Sequence, residues 1–197
     1  YTPERVALRR AISLGYDVGR EISVIRRGQA VPAQSIVAPG TWGYDPKLKT
    51  DNSDYDPARA KALLDLYGYV DRDGDGWRER PDGSPLVLRL SSTTNQLSRR
   101  LNELWRKNLA KIGVRIEFDL ATWGDLLKRS RSANLMMWGY SWAAGTPDGG
   151  FFLGIAYGPN ANESNDSRFA LSAFDRLFER QNVLPDGPER EALMREA

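Results

Sequence analysis

Apolar residues recur at regular spacings along most of this chain, and the spacing changes from helical to strand-like and back. A first helix is predicted after Thr2, because threonine can cap a helix and the proline that follows it suits the first helical position. Asp17 and Asp56 are predicted to cap a second and a third helix. Residues 30–53 lie between these two helices and are rich in proline, glycine and polar residues, which predicts a long ordered loop.

The middle of the chain alternates predicted strands with predicted helices. Residues 77–80 and 86–91 flank a Pro-Asp-Gly turn and predict a β-hairpin. Strand, helix, strand, helix and strand follow one another at 86–91, 96–112, 114–119, 122–130 and 135–140. Because a strand followed by a helix returns to its sheet in parallel orientation, this order predicts an α/β fold with a mainly parallel sheet and flanking helices.

Composition narrows the chemistry that such a fold could carry out. The 197 residues include 28 Lys and Arg and 26 Asp and Glu, but no cysteine and no histidine. The chain therefore cannot form disulfides, thiol nucleophiles, serine–histidine triads or histidine-ligated zinc sites. An enzyme of this composition would depend on carboxylates, lysine, tyrosine or hydroxyl groups. The basic residues come in scattered pairs with acids nearby, so the sequence predicts no nucleic-acid partner.

An acidic, glycine-rich stretch follows the third predicted helix. Its residues match the first nine positions of a calcium loop, with ligands predicted at Asp71, Asp73, Asp75, Trp77 (through its carbonyl) and Glu79. Asp82 stands at position twelve, where an EF-hand has a longer glutamate. Acids and glycines are also what a tight turn needs, so a turn without metal is the alternative. Both interpretations stay open, and Ca²⁺ is the one cofactor that the sequence suggests.

Aromatic residues cluster at the end of the last predicted strand. Ligands of open α/β sheets collect at the carboxyl ends of strands, so Tyr140, Ser141 and Trp142 are candidate ligand contacts. The two rings combine broad apolar faces with polar tips, which suits an amphiphilic ligand. Met136 and Trp138, inside the strand, are predicted to belong to the core instead.

Several segments, in this order, resemble the peptide/nickel family of ABC-importer solute-binding proteins. Two of them are the run YDPARAKALL at 55–64 and the run DRDGDG at 71–76. The full set is 9–14 with 16–17, 28–33, 55–64, 68–69 with 71–76, 81–86, 109–114, 123 with 126–127, and 147–148 with 151–152. Each segment is short, and the specificity of the resemblance comes from their joint order over nearly the whole chain.

The resemblance implies a periplasmic-binding-protein-like α/β lobe. Proteins that this chain resembles have two lobes around a cleft. Residues 1–197 would form a single α/β lobe, which makes up most of the second lobe of the whole protein. Its parts would be helices and an ordered loop at 1–54, a βαβ core at 55–142, and helices and turns at 143–197. The first lobe would then come from another part of the same protein.

The resemblance also implies the substrate-binding component of an ABC importer, which is not an enzyme. Such a component binds an oligopeptide or similar small solute reversibly and delivers it to permease subunits in the membrane. It would work in the periplasm or, with a lipid anchor, at the outer face of the cell. The ligand would stabilise the closed arrangement of the two lobes through its higher affinity for that state.

One departure from the family pattern bears on the ligand. Peptide-binding members carry an acid soon after this strand, and it pairs with the amino group of the peptide. Residues 143–146 contain no acid, and the nearest one is Asp148. This departure argues against a peptide with a free amino group. The ligand contacts expected for this chain are Tyr140, Ser141, Trp142, Ala143, Thr146 and Asp148.

Two functions of other classes stay open at this point. Six tryptophans and many acids are compatible with a glycoside hydrolase, which needs two carboxylates at a defined separation. No pair of acids stands out near the predicted strand ends, which argues against that function. The acidic stretch alone is compatible with a calcium-stabilised surface interaction module.

Overall fold

The computed structural model describes residues 2–197, and contacts within the chain group them into two compact units. Unit 1 contains the described residues up to Pro32 together with Asp51–Leu126 and Leu135–Gly139. Unit 2 contains Ala33–Thr50, Leu127–Asn134 and Tyr140–Ala197. Both units are discontinuous in sequence, whereas the sequence predicted one lobe made of three consecutive segments. The grouping by contacts does not test that single-lobe prediction.

Unit 1 begins with three helical segments. Helix α1 spans Pro3–Gly15, α2 spans Val18–Arg20 and continues as a π-helix over Glu21–Ile25, and α3 spans Pro57–Leu66. The predicted long loop between the second and third segments contains no helix, only turns, bends and one isolated β-bridge at Trp42. The helices therefore start where the capping residues predicted, although the second one changes to π geometry after its first turn.

The predicted caps of these helices are confirmed at two of three positions. The Asp17 carboxylate accepts a hydrogen bond from the backbone N–H of Arg20 at 2.8 Å. The Asp56 carboxylate accepts one from the backbone N–H of Arg59 at 2.9 Å. Thr2 occupies the N-cap position of α1, as predicted, but its side chain makes no capping hydrogen bond.

A three-stranded parallel sheet in the order β2-β1-β3 completes unit 1. Its strands are β1 at Val87–Ser92, β2 at Arg115–Leu120 and β3 at Met137–Trp138. Helix α4, Gln96–Lys111, connects β1 to β2, and helix α5, Trp123–Arg131, follows β2 in sequence. The parallel pairing of β1 with both neighbours confirms the predicted α/β class. Strand β3 is shorter than the predicted strand at 135–140.

The core of unit 1 is one buried apolar cluster from the helices and strands. It contains Ala11, Leu14, Ala60, Leu64, Tyr69, Leu86, Leu88, Leu109, Ile112 and Val114. Met137 packs against this cluster, whereas Met136 is 56% exposed, so the prediction that Met136 belongs to the core is wrong. Successive side chains of a strand point to opposite faces, and this sheet turns Met137 towards the helices.

The predicted β-hairpin is present as a tight turn with a single antiparallel bridge between Glu79 and Pro85. Arg80 N donates to Ser84 O at 2.8 Å across the turn. Gly83 has a φ of +83°, in the left-handed region that glycine adopts without steric cost. The turn leads directly into β1 and so fixes where that strand begins.

The regular elements of unit 2 are helices. It contains the last residues of α5, α6 at Gly150–Leu153, a 3₁₀ turn at Gly158–Asn160, α7 at Ser172–Asn182 and α8 at Pro188–Glu196. Val37, Leu153, Phe174 and Met194 form its buried apolar cluster. Among the described residues, no helix combines the length and the apolar character needed to cross a membrane.

A backbone bridge ties the early loop of unit 2 to its later part. Trp42 N donates to Pro147 O at 2.7 Å, and Gly149 N donates to Trp42 O at 3.0 Å. A Cβ atom at Gly149 would lie 2.4 Å from Trp42 O, which is closer than real Cβ atoms approach backbone oxygen. Glycine at 149 is therefore required by the close approach of two backbones.

Candidate ligand-binding site

A ladder of four aromatic rings runs through unit 2. Tyr140 and Trp142 meet edge to face with centroids 5.0 Å apart, and Trp142 meets Phe151 in the same way at 5.9 Å. Phe151 in turn contacts Phe152 at 5.5 Å. Phe152 is buried and Phe151 is 45% exposed, so the ladder leads from the interior of the unit to its surface. Such edge-to-face contacts fix ring orientation and leave the exposed ring able to contact a ligand.

A pocket of about 360 Å³ adjoins the exposed ring. Its walls mix apolar, hydroxyl and amide side chains: Thr146, Asp148, Gly150, Phe151, Gly154, Ile155, Asn160, Ser164, Phe178 and Asn182. Both its volume and its mixture of apolar surface with a few polar groups are typical of sites for small molecules. The pocket can therefore take an amphiphilic group, such as a peptide side chain with its adjoining amide.

The structure brings together some of the residues that the sequence singled out. Thr146 and Asp148 line the pocket, and Tyr140 and Trp142 reach it through the ring of Phe151. Ser141 and Ala143 are exposed and do not line it. Phe151 was not singled out as a ligand contact, although it belongs to a segment of the family resemblance. Its position after a proline and two glycines was the available signal, since such a turn can present a ring to solvent.

Asp148 is already paired within the protein. Arg190 donates to both of its carboxylate oxygens, at 2.8 and 3.1 Å, and Gly150 N donates to it at 2.8 Å. Burial opposes ionisation of Asp148, but the hydrogen bonds from Arg190 and Gly150 outweigh it and lower the pKa of this carboxyl below its usual value. The carboxylate is therefore ionised and neutralised by Arg190 at neutral pH. A ligand contact through Asp148 stays a prediction.

Arg190 is the centre of this network and was not found from the sequence. Its side chain is 8% exposed and also contacts Asp186 at 2.6 Å and Gln181 O and Oε1, both at 3.1 Å. Its guanidinium lies over the ring of Trp42, 4.8 Å from the centroid. A buried arginine needs this many partners, because an unpaired charge in the interior is strongly disfavoured. Arg190 thereby anchors the loop that carries Asp148.

Asn165 fixes a loop that carries two residues of the pocket wall. Its side chain is fully buried and donates to Tyr157 O at 3.0 Å and to Phe169 O at 2.8 Å. Its carbonyl oxygen accepts from Ser167 Oγ at 2.9 Å. These bonds satisfy the amide and fix the loop that carries Asn160 and Ser164.

The acidic stretch forms a compact loop in unit 1. One oxygen from each of Asp71, Asp73, Asp75 and Glu79 lies within 4.8 Å of the others. The same carboxylates accept backbone hydrogen bonds from the loop, as in Asp71 with Gly74 N at 2.7 Å.

The remaining partners in this region are also internal. Asp75 pairs with Arg115 at 3.2 Å, and Glu79 accepts from Arg72 N at 2.7 Å. Asp82 lies outside the group and accepts from Ser84 in the hairpin turn. Four of the six predicted ligands therefore converge, and calcium binding itself stays a prediction.

Known proteins resemble this chain over nearly its whole length. A family model described as "Bacterial extracellular solute-binding proteins, family 5 Middle" matches residues 3–164. The chain is 31% identical over 194 residues to Di/tripeptide-binding protein 2 of Pseudomonas aeruginosa, covering 96% of this chain and 34% of that protein. It is 29% identical to Heme-binding protein A of Haemophilus influenzae and 26% identical to the Dipeptide-binding protein of Escherichia coli, in each case covering 98% of this chain and 34% of the relative.

Solved structures show the same fold. The oligopeptide-binding protein AppA of Bacillus subtilis, in complex with a nonapeptide, superimposes with a TM-score of 0.86 at 19% identity, covering 96% of this chain and 38% of that one. The periplasmic binding protein DppA of Helicobacter pylori, in complex with the peptide STSA, gives a TM-score of 0.81 at 27% identity, covering 100% and 36%. The chain spans about a third of the length of the curated relatives that it matches. It belongs to the bacterial extracellular solute-binding proteins of family 5.

Proposed function

We propose that this chain forms one wall of the ligand site in the substrate-binding component of an ABC importer. The observation that carries the proposal is the aromatic ladder that contains the exposed ring of Phe151, beside a pocket of about 360 Å³. Relatives named for dipeptide and di/tripeptide binding support an oligopeptide or a similar small solute as ligand. Delivery to permease subunits, in the periplasm or at the outer face of the cell, is part of the same proposal.

Binding at this wall would depend on contact with rigid groups. Phe151 offers a ring to apolar side chains, with Trp142 packed behind it, and Thr146 and Ser164 offer hydroxyls to amide groups. Arg190 and Asn165 fix the two loops that carry these groups, so little conformational entropy is lost when a ligand binds. A second wall, from another part of the protein, would close over the ligand and complete its burial.

Catalysis finds no support in this pocket. Asp148 is the one carboxylate that lines it, and Arg190 already neutralises that group. Glycoside hydrolysis needs two carboxylates on opposite sides of the scissile bond. Reversible capture without chemistry is therefore the function that we propose.

The test is an NMR titration of the chain with a leucine-rich tripeptide, either acetylated and amidated or with a free amino group. We expect saturable shifts of the Trp142 indole and Phe151 amide signals at millimolar peptide, with the acetylated form binding at least as tightly. Phe151→Ala should abolish the shifts, while Leu171→Ala, at a similarly exposed position, should preserve them. Equal binding by both variants, or preference for the free amine, would contradict the proposed site.

A further inference from the structure

A second concave surface lies within unit 1, between the π-helix and α4. It encloses about 700 Å³ and is lined by Arg20, Val24 and Ile25 on one side and by Arg99, Arg100 and Leu104 on the other. We call it the basic groove. None of its residues belongs to the ligand-binding site of unit 2, so any role it has is separate from the proposed function.

Unpaired cations dominate this groove. The side chains of Arg20, Arg99 and Arg100 have no carboxylate partner among the described residues. Glu103, the one acid in its lining, is engaged at 2.9 and 3.3 Å by two cations of its own helix. The chain as a whole has a formal net charge of only +2, so positive charge is concentrated here well beyond the average. An anionic partner would relieve the repulsion between these guanidinium groups.

Apolar side chains accompany the cations along the groove. Val24 is 58% exposed at its rim, and Leu104 lies at its base. Arg100, Leu104 and Lys107 follow one another at intervals of four and three residues, so they share one face of α4. From Arg99 to Lys107 this face is about 12 Å long, which is more than two helical turns. The surface is therefore elongated and amphipathic.

The groove is held in shape by contacts beneath it. The ring of Tyr16 stacks on Trp105 of α4 with centroids 4.1 Å apart, and its hydroxyl donates to Glu21 at 2.6 Å. Glu21 also accepts from Arg26 Nε at 2.9 Å, and this bond links the first residue of the π-helix to the residue that follows its last one. π-helices are rare and are frequently found at functional sites. A surface fixed in this way loses little entropy when it binds a partner.

We propose that the basic groove docks an acidic, amphipathic segment of a partner protein. Carboxylates of the segment would pair with the guanidinium groups, whose planar forks suit bidentate contacts. An apolar side chain of the segment would cover Val24 and Leu104, as in other complexes in which a helix lies in a groove. A phosphate or lipid headgroup would satisfy the guanidinium groups but leave this apolar surface uncovered, so a peptide segment complements the groove better.

The experiment measures fluorescence anisotropy of a labelled helical peptide in which glutamates and leucines occupy opposite sides. The control peptide carries glutamine in place of every glutamate. We expect saturable binding of the acidic peptide that weakens as NaCl rises from about 50 to 300 mM, because salt screens contacts between exposed charges. The glutamine peptide should bind at least about tenfold more weakly. Equal binding of both peptides would overturn the proposal.

Matched variants locate the binding surface. Arg99→Glu combined with Arg100→Glu should weaken acidic-peptide binding by about tenfold or more. Each exposed charge contact contributes only modestly to the binding free energy, but the double variant replaces two attractions with two repulsions. Arg10→Glu combined with Lys61→Glu changes the net charge equally at exposed positions of α1 and α3 and should have no such effect. Val24→Asp should also weaken binding. It should change the melting temperature no more than the control double variant does.

Three outcomes would overturn the proposal. Equal loss of binding in both double variants would mean that overall charge alone attracts the peptide. Binding to vesicles of anionic phospholipid that is lost in Arg99→Glu with Arg100→Glu, without binding of the acidic peptide, would assign the groove to a membrane surface. Concentration-dependent dimerisation that the same variant abolishes would assign it to a second copy of the chain.

Discussion

Arg190 is the residue on which the hydrogen bonds around the ligand site converge. It joins Asp148 of the pocket to Asp186 and Gln181, and its guanidinium covers the ring of Trp42. None of these partners is its neighbour in sequence, and Asp186, the nearest, is one helical turn away. The sequence therefore identified Asp148 as an unusual acid but could not identify the cation that neutralises it. By neutralising Asp148, Arg190 determines which charged groups of the pocket a ligand can still contact.

Replacement of Arg190 should destabilise the fold. Arg190→Met keeps much of the apolar stem but removes the hydrogen bonds to both carboxylates and to Gln181. We expect a loss of about 2 kcal/mol in the free energy of unfolding, measured by urea denaturation, because charge-assisted hydrogen bonds at a largely buried group are lost. Arg176→Met, at an exposed position of α7, serves as the control and should change stability little. Equal effects of the two substitutions would show that the network contributes nothing beyond surface charge.

The same ion pair should give stability a defined pH dependence. Burial favours the protonated form of Asp148, but the hydrogen bonds from Arg190 and Gly150 prevail, and the pKa of the carboxyl falls below its usual value of 3.8. A group whose pKa is lower in the folded state stabilises the fold above its unfolded pKa, and this contribution disappears as the pH falls through the folded pKa. The difference in unfolding free energy between the wild type and Asp148→Asn should therefore be constant from about pH 7 to 5 and shrink below about pH 4. A difference that stays constant down to pH 2 would contradict the assignment.

At the scale of elements, the acidic loop at 71–79 was only partly predictable. The sequence predicted its carboxylate ligands but not which of them converge. The spacing of Asp71, Asp73 and Asp75 indicated a calcium loop, and these carboxylates do converge with Glu79. Asp82 does not join them, because the turn after Arg80 directs it to Ser84. Residue spacing alone could not show that Asp82 lies outside the group. A ligand at position twelve of a calcium loop depends on the helix that follows in an EF-hand, and this chain forms a hairpin there instead.

Calcium should stabilise the chain through this loop if the four carboxylates bind it. We predict that millimolar CaCl₂ raises the melting temperature by mass action, as any ligand of the folded state does. Asp73→Ala should abolish the shift, whereas Asp82→Asn should retain it, because Asp82 lies outside the group. Differential scanning fluorimetry in CaCl₂ and in NaCl of equal ionic strength provides the measurement. A wild-type chain that does not respond would leave only the turn interpretation.

The regular elements were predictable to the extent that local patterns decide them. Helix α4 and strands β1 and β2 lie within two residues of the predicted bounds, because their apolar periodicity coincides with burial. Strand β3 is reduced to Met137–Trp138, since its pairing depends on β1 and not on its own sequence. The π geometry of 21–25 also escaped prediction, because it depends on Glu21, held by Tyr16 and Arg26. Tertiary contacts account for both differences.

At the scale of the whole molecule, the chain spans about a third of the length of its relatives, and under the proposed function it supplies one wall of the ligand site. A pocket in a complete binding protein encloses most of the ligand surface. With one wall present, we expect weak ligand binding and no chemistry.

Absence of turnover can be tested directly. Incubation of the chain with peptide and glycoside substrates, followed by mass spectrometry, should detect no product beyond the level of a heat-denatured sample. The physical reason is that Asp148, the carboxylate of the pocket, is held as an ion pair and has no second carboxylate opposite it. Sustained product formation that Asp148→Asn abolishes would contradict the proposed carrier function.

The bridge between Trp42 and Asp148 has a consequence for the order in which the chain folds during synthesis. The two residues are roughly 100 positions apart, and closing so long a loop carries an entropic cost that only later contacts can offset. All residues of unit 1 have been synthesised once residue 139 has left the ribosome. Unit 2 also needs α8, Pro188–Glu196. The hydrogen bonds of Trp42 with Pro147 and Gly149 can therefore form only after the residues of unit 1 have been synthesised. Nascent chains stalled before residue 188 should accordingly expose Trp42 to proteases that no longer reach it once α8 has been synthesised.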